Sequence, residues 1–166
     1  MELNSKLSRP SQDDYFMKMA YLAKERSTCF SRKVGCVLVD RKYRVIATGY
    51  NGVPRKFPHC NERTCPRINS NSGEDLDKCY AVHAEQNALI ACSDPEKIFK
   101  IYTTSSPCLT CMVMLLNTGC DEIVYHEAYD QNALELWRKR GRLATYSETN
   151  VPTFFGMDFA KGTTQP

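Results

Sequence analysis

The sequence predicts a three-layer α/β/α fold, in which helices cover both faces of a mixed five-stranded sheet. The 166 residues suffice for one domain with a sizeable core. Two β-branched segments form an early antiparallel pair, and strands then alternate with helices, which makes the later strands parallel. Apolar residues make up 42% of the chain and charged residues 25%, as in an ordinary globular protein.

The first elements are a helix and two strands. Residues 12–27 follow Ser11, a candidate cap with Asp14 three residues later, and they carry apolar residues at helical spacing. The segments VGCVLVD and RVIATGYN are β-branched runs separated by RKY, which indicates a hairpin. Residues 52–78 have no periodicity. A loop of about 25 residues is uncommon in a compact domain unless it is functional or held in place.

The second half of the chain alternates helices with strands. HAEQNALIACS is a helix, KIYTTS a strand, CLTCMVMLLNTG a helix that ends at Gly119, and DEIVYHE a strand. NALELWRKRG is a helix that ends at Gly141, and RLATYS is a last short strand. We expect the tail of residues 147–166 to dock in part on the domain or on a neighbouring subunit, through Phe154, Phe155 and Phe159.

Charge and cysteine content limit the classes of function and the location. The 22 basic and 19 acidic residues are spread along the chain, so we expect no polynucleotide partner. No apolar run approaches the roughly 20 residues that span a bilayer, and the first residues lack a secretory signal. We therefore expect no membrane partner and a cytoplasmic location. Nine cysteines without an export signal favour metal ligation or catalysis over a disulfide framework.

His83 and a later pair of cysteines have the pattern of a metal site. In SSPCLTC, Cys108 and Cys111 are three positions apart at a helix start, so both thiolates can reach one ion. Three protein ligands with an open fourth position are typical of catalytic zinc, which activates a bound water near neutral pH. Glu85 would face that water as the proton carrier. The alternative for Glu85 is a solvated carboxylate at a helix start.

His-x-Glu followed by Pro-Cys-x-x-Cys is the signature of zinc-dependent nucleobase deaminases. HAEQNAL with SSPCLTC resembles the cytidine and deoxycytidylate deaminase superfamily. ERSTCFSRKVGCVLV, TGYNGVPRKFPHC, LDKCYAVHAEQNA and VYHEAYDQN resemble its deoxycytidylate (dCMP) deaminase branch, over about residues 13–146. The resemblance implies a cytidine-deaminase-like fold, with a deaminase domain over residues 1–146. It also implies hydrolysis of dCMP to dUMP and ammonia, which supplies thymidylate synthesis, with Glu85 carrying protons to ring nitrogen 3 and to the leaving ammonia.

The resemblance further implies which residues contact the substrate. Asn51, in GYNG, stands where the family has a substrate-contacting asparagine, whereas Asn-Gly alone indicates a hairpin turn. Tyr129, just beyond the C-terminal end of a strand, would lie near the base and sugar, with edge packing as the alternative. Of the candidate phosphate contacts in the segment ERSTCFSRKVG, two match the family, Arg26 and Ser27, and two do not, Arg32 and Lys33.

Four of the other cysteines lie in or beside the long loop of residues 52–82: Cys29, Cys60, Cys65 and Cys79. Some dCMP deaminases carry a second, structural zinc, and Cys29 and Cys60 match positions used for it. Four thiolates would close a tetrahedral site, with His59 as the substitute ligand. Such a zinc would hold the loop, which has too few apolar groups to order itself. The alternative is a set of small buried side chains or reduced surface thiols.

Assembly and regulation also follow from the resemblance. Many dCMP deaminases are hexamers that dCTP activates and dTTP inhibits, which implies a homo-oligomer, a hexamer being favoured, and dCTP or dTTP as effectors with Mg²⁺. GYNGVP matches the sequence motif associated with that regulation, but the following Arg55 and Lys56 depart from the motif. Rival functions stay open: a tRNA adenosine deaminase, a riboflavin-pathway or free-nucleoside deaminase, or a non-enzymatic zinc-held binding module. A second substrate, dCTP, also stays open.

Overall fold

A computed structural model describes residues 9–60, 64–71 and 73–149. The helices in this part of the chain are α1 (Gln12–Lys24), α2 (Ala84–Ala91), α3 (Leu109–Leu116) and α4 (Gln131–Lys139). The strands are β1 (Gly35–Val39), β2 (Val45–Tyr50), β3 (Lys100–Ser105), β4 (Glu122–Glu127) and β5 (Leu143–Tyr146). Two short 3₁₀ turns, Leu76–Lys78 and Pro95–Lys97, precede α2 and β3.

The five strands form one mixed sheet in the order β2-β1-β3-β4-β5. β1 pairs antiparallel with β2 and with β3, whereas β3, β4 and β5 are parallel. This confirms the predicted mixed sheet, in which an antiparallel hairpin precedes parallel strands. The place of β1 between β2 and β3 was not predicted, because hairpin signals specify only the pairing of chain neighbours. Every residue of β1 is buried, as expected of a strand covered on both faces.

Helices cover both faces of the sheet, so the predicted three-layer arrangement is confirmed. Among the described helices, α1 alone packs on one face, where Phe16 and Met17 join a core cluster with Tyr102 of β3. On the other face α2, α3 and α4 surround a larger core that includes Ile101 and Trp137. Both cores consist of fully or almost fully buried side chains, whose removal from water stabilises the fold.

Helix α2 lies unusually close to β2 because the strand has a glycine at the contact. A Cβ at Gly49 would lie 2.1 Å from the carbonyl oxygen of Ala84 and 2.6 Å from the amide nitrogen of Ala88. Any larger residue would therefore push the start of α2 away from the sheet. Asn87 adds a second tie, since its Nδ2 donates to the carbonyl of Tyr50 at 2.8 Å.

One arginine, Arg142, caps the C-terminal end of α3. The guanidinium of Arg142 stacks on the ring of Trp137, 4.9 Å from its centroid. Its Nη1 and Nη2 donate at 2.6–3.4 Å to the carbonyl oxygens of Leu115, Leu116, Thr118 and Cys120. Cationic donors are favourable here because the last carbonyls of a helix have no partner within it and carry partial negative charge.

Both ends of the described chain attach to α1. The Ser11 hydroxyl accepts from the amide of Asp14 at 3.0 Å, so the predicted cap is confirmed, although α1 ends at Lys24, earlier than predicted. Thr149 Oγ1 donates to Asp14 Oδ1 at 2.8 Å. The aromatic residues of the tail lie outside the described residues: Phe154, Phe155 and Phe159. Within the described part, no helix is both long and apolar enough to cross a membrane.

Candidate active site

Three potential metal ligands meet where two helices begin. His83 immediately precedes α2, Cys108 immediately precedes α3, and Cys111 lies in the first turn of α3. Nδ1 of His83 is 3.4 Å from the sulfur of each cysteine. All three ligand atoms lie within 4.8 Å of one another, close enough to bind a single ion. The positive ends of both helices therefore point at this group.

The thiols of this group ionise unequally. A hydrogen bond from Cys111 lowers the pKa of Cys108 to about 4. The same contact, together with burial, raises the pKa of Cys111. The hydrogen bond with Cys108 raises the pKa of His83. One thiolate is thus readily formed, and a bound metal ion would displace the remaining protons, because only thiolate and neutral imidazole act as ligands.

The donor set fits zinc. Two sulfur atoms and one imidazole nitrogen are donors that zinc prefers, and three protein ligands leave a fourth tetrahedral position for a small molecule. Across residues 9–60, 64–71 and 73–149, this is the one group of three or more such side chains whose ligand atoms come so close together. The group therefore has the composition of a catalytic zinc site.

Glu85 lies in the first turn of α2, beside the ligand group. Its side chain is almost completely buried, with the residue 4% exposed, and Oε1 accepts a hydrogen bond from Thr103 Oγ1 at 3.3 Å. Burial raises the pKa of the Glu85 carboxyl. A carboxyl group in such surroundings can both take up and release a proton, which the role of proton carrier requires.

A cleft of about 520 Å³ opens beside Glu85, His83 and Cys108. This volume is in the range of small-molecule sites. Asn51 and Tyr129 line the cleft, as do two arginines, Arg32 and Arg67. Two of the predicted substrate contacts are thus adjacent to the ligand group.

Asn51 is held in one orientation by its neighbours. Its Oδ1 accepts from the amide of Val34 at 2.7 Å and lies 2.6 Å from the Ser27 hydroxyl. Its Nδ2 donates to the carbonyl of Arg32 at 2.7 Å. The amide group has a second N–H on Nδ2, and no partner for it is found among the described residues. The next residue, Gly52, forms an isolated antiparallel bridge with Val82, which places Asn51 near the start of α2.

The two predicted phosphate contacts lie away from the cleft surface. Ser27 is buried and its hydroxyl contacts both oxygens of Asn51, so it positions that side chain. Arg26 is exposed and lies outside the lining of the cleft. The sequence offered Arg32 as a candidate phosphate contact but favoured Arg26 and Ser27 over it, and its guanidinium lies 4.8 Å from the centroid of the Tyr129 ring. The segment ERSTCFSRKVG contains it, but no local pattern separates it from neighbouring surface cations.

Sequence reasoning also missed two residues that hold the Tyr129 loop. Ser106 Oγ accepts from the amide of Tyr129 at 2.7 Å. Asp130 accepts at Oδ1 from the amide of Ala133 at 3.0 Å and at Oδ2 from the amide of Leu109 at 3.1 Å. An aspartate directly before a predicted helix indicates an N-cap, so the sequence could have predicted that Asp130 caps α4. No sequence pattern indicates its bond to α3.

Four cysteines line a second, smaller cavity of about 140 Å³: Cys29, Cys60, Cys65 and Cys79. Burial and the neighbouring sulfur atoms raise the pKa of the Cys60 thiol. Cys29 and Cys79 also line the larger cleft, so the two cavities share a wall. Within the described residues, no three of these sulfurs lie mutually within 4.8 Å. His59 is exposed and lies outside this lining.

Comparisons with known proteins agree with this geometry. The family described as the cytidine and deoxycytidylate deaminase zinc-binding region matches residues 10–127. A deoxycytidylate deaminase of Schizosaccharomyces pombe is 50% identical over 136 residues, which cover 79% of this chain but 42% of that protein. The chain thus spans less than half the length of this relative. A deoxycytidylate deaminase of Mycobacterium phage D29 is 39% identical over 127 residues, 72% of this chain and 97% of the phage protein.

A solved structure extends the likeness to three dimensions. The dCMP deaminase of cyanophage S-TIM5, crystallised with dCMP and dUMP, superposes with a TM-score of 0.69 at 26% identity. The match covers 85% of this chain and all of the phage chain. The predicted cytidine-deaminase-like fold is therefore confirmed. Together with the His-Cys-Cys group, these matches establish that the chain belongs to the cytidine and deoxycytidylate deaminase family.

Proposed function

We propose that this chain catalyses the zinc-dependent hydrolysis of dCMP to dUMP and ammonia, and so supplies dUMP for thymidylate synthesis. The observation that carries the proposal is the buried carboxyl of Glu85 beside the group formed by His83, Cys108 and Cys111. The relatives named above support dCMP as the substrate, since two are deoxycytidylate deaminases and the cyanophage enzyme was crystallised with dCMP and dUMP.

In the proposed mechanism, His83, Cys108 and Cys111 hold the zinc ion. Zinc supplies a water molecule that is activated for attack near neutral pH. Glu85 accepts a proton from this water and passes it to ring nitrogen 3 of cytosine, while the water oxygen adds to the carbon that bears the amino group. Glu85 then takes the remaining proton from the newly added hydroxyl group and delivers it to the amino group, so that the carbon–nitrogen bond breaks, the carbonyl of the uracil ring forms and ammonia leaves. The burial of Glu85 excludes bulk water, which would otherwise exchange these protons.

Further residues orient the substrate in this proposal. The remaining N–H of Asn51 donates to the sugar or base, and the ring of Tyr129 packs against them at the rim of the cleft. Ser27 acts through Asn51, since its hydroxyl lies 2.8 Å from the carbonyl and 2.6 Å from the side-chain oxygen of that residue, while it also accepts from the amide of Cys29 at 3.2 Å. A direct phosphate contact from Arg26 stays a prediction.

Activity assays test the proposal directly. We expect ammonia release from dCMP to exceed that from deoxycytidine, cytosine and an adenosine-containing tRNA hairpin, and dCTP is assayed alongside because it stays a candidate second substrate. Release from the tRNA hairpin alone would favour the rival tRNA deaminase, and release from none of these substrates would favour a binding module.

Glu85→Gln should retain zinc and fold but lose at least about 10³-fold in kcat. The exposed Glu96→Gln is the matched control, and turnover of Glu85→Gln within tenfold of the wild type would contradict the assigned role.

A second, structural zinc at Cys29, Cys60, Cys65 and Cys79 is part of the proposal. The shared cavity supports it, since four sulfur atoms around one small space are typical of structural zinc. Metal analysis should give two zinc ions per chain, falling to one in Cys65→Ser with lower heat stability. Cys92→Ser, which lies outside both cavities, should keep two. One zinc in the fully active wild type would show that the long loop is ordered by other means.

We further propose a homo-oligomer, a hexamer being favoured, in a cytoplasmic location. Exposed apolar side chains on neighbouring helices support an interface, since Ile90 on α2 is 77% exposed and Val113 on α3 is 49% exposed. Sedimentation analysis of the wild type and of Ile90→Glu tests this assembly.

Regulation by dCTP and dTTP with Mg²⁺, and the division into a deaminase domain and a tail at residue 146, stay predictions. Titration of each nucleotide into the dCMP assay tests the regulation.

A further inference from the structure

We propose that Arg32, stacked on Tyr129 at the rim of the cleft, binds the 5′-phosphate of the substrate and makes the site select nucleotides over nucleosides. This inference rests on the proposed function, because it assigns a further residue to the same site. It differs from the expectation drawn from the family resemblance, which placed the phosphate at Arg26 and Ser27. The charged side chains that line the cleft, and the contacts that each of them already makes, support Arg32 as the phosphate ligand.

Two arginines are among the described residues that line the cleft, and they differ in what they bind. Arg67 is engaged by the long loop, since its Nε donates to the carbonyl of Glu74 at 2.8 Å and its Nη2 lies 3.4 Å from that of Asn71. The guanidinium of Arg32 contacts the Tyr129 ring. Within the described part of the chain it has no hydrogen bond or ion pair. Its five N–H donors are therefore available to an anion.

The carboxylates that line the cleft do not neutralise Arg32. Both oxygens of Asp130 accept backbone amides, one from α3 and one from α4. Glu85 is buried, whereas Arg32 is exposed. The cleft thus has its proton carrier in the interior and a free cation at its rim. This order matches a substrate whose base reacts inside while a charged group stays near solvent.

Arg32 is also held in a conformation suited to binding. Its carbonyl accepts the Nδ2 of Asn51 at 2.7 Å, and its amide lies 3.5 Å from the sulfur of Cys29. The guanidinium lies over the Tyr129 ring, 4.8 Å from its centroid, and its N–H groups have no partner among the described residues. The edge of a guanidinium can bind two phosphate oxygens at once. Arg32 therefore contacts both residues proposed to orient the base and sugar, so one network would read all three parts of a nucleotide.

Paired kinetics of dCMP and deoxycytidine test the assignment. We expect Arg32→Gln to lower kcat/KM for dCMP about 10- to 100-fold, mainly through KM, and to change that for deoxycytidine less than about threefold. Arg32→Lys should lose less for dCMP, because it keeps the charge but not the bidentate edge. Lys33→Gln removes the neighbouring exposed charge and is the matched control. Zinc content should be equal in all variants.

Several results would overturn the assignment. If Arg32→Gln reduced both substrates equally, Arg32 would serve only to position Tyr129 or Asn51. If Arg26→Gln lowered the dCMP value and Arg32→Gln did not, the phosphate would lie at Arg26. Calorimetric binding of dUMP and deoxyuridine separates this question from the proposed reaction. A wild type inactive on dCMP would refute the proposed function, while loss of the dUMP preference in Arg32→Gln would still support the phosphate contact, and an unchanged preference would refute it.

Discussion

The hydrogen bonds of Asn51 allow its contribution to stability to be predicted quantitatively. Asn51→Ala removes three bonds at once: those with Ser27, the amide of Val34 and the carbonyl of Arg32. A buried neutral hydrogen bond contributes about 1 kcal/mol, so the expected loss is about 3 kcal/mol. Ser27→Ala removes the hydroxyl that donates to Asn51 and accepts from the amide of Cys29, and its expected loss is about 2 kcal/mol. In the double variant the Ser27 effect should be smaller than in the wild type but not absent, because Oδ1 of Asn51 is gone while the Asn51 carbonyl and the Cys29 amide remain.

Denaturant unfolding at a fixed zinc concentration gives the unfolding free energy of the wild type, the two single variants and the double variant. Kinetics with dCMP on the same samples measure the effect of each substitution on activity. We expect kcat/KM to fall at least about tenfold in Asn51→Ala, and less in Ser27→Ala, since the amide keeps its other two bonds. Equal stability losses in the two single variants, or fully additive losses in the double variant, would refute the interpretation that Ser27 acts through Asn51.

Further predictions concern the scaffold around the site. Arg142→Met should lose about 2–4 kcal/mol of unfolding free energy in denaturant titrations, because it leaves the carbonyls at the end of α3 without donors, while Arg140→Met on the exposed end of α4 should change by less than about 0.5 kcal/mol. Gly49→Ala should reduce zinc content along with stability, since the new Cβ would meet the backbone of α2, and a normal zinc content would contradict this reasoning. Burial lowers the pKa of His126, whose Nδ1 bonds the Tyr21 hydroxyl, so the unfolded chain binds the proton more readily and stability should fall as the pH drops below 6.5. His126→Gln should show a smaller loss between pH 7.5 and 5.5, and an identical pH dependence would exclude that role.

What the sequence predicted correctly are features that depend on local spacing. Strand β3 was predicted with its observed bounds, and the ligand group needs little more than a cysteine pair at one helix start and a histidine at another. What it did not predict depends on contacts between distant segments. The contact of Arg32 with Tyr129 joins residues almost a hundred positions apart in the sequence. The hydrogen bond between Ser27 and Asn51 forms because the residues that follow α1 lie beside the residue that follows β2.

The double role of Asp130 has a consequence for metal exchange. Its carboxylate joins the first turn of α3, which follows Cys108, to the loop that carries Tyr129. An ion with a larger radius or another coordination preference would shift that turn, and the shift would reach the aromatic wall of the cleft through two hydrogen bonds. Replacing zinc by cobalt or cadmium should therefore alter substrate affinity along with the rate of the chemical step. Attempts to redesign base specificity at Tyr129 will likewise alter metal retention unless Asp130 is kept.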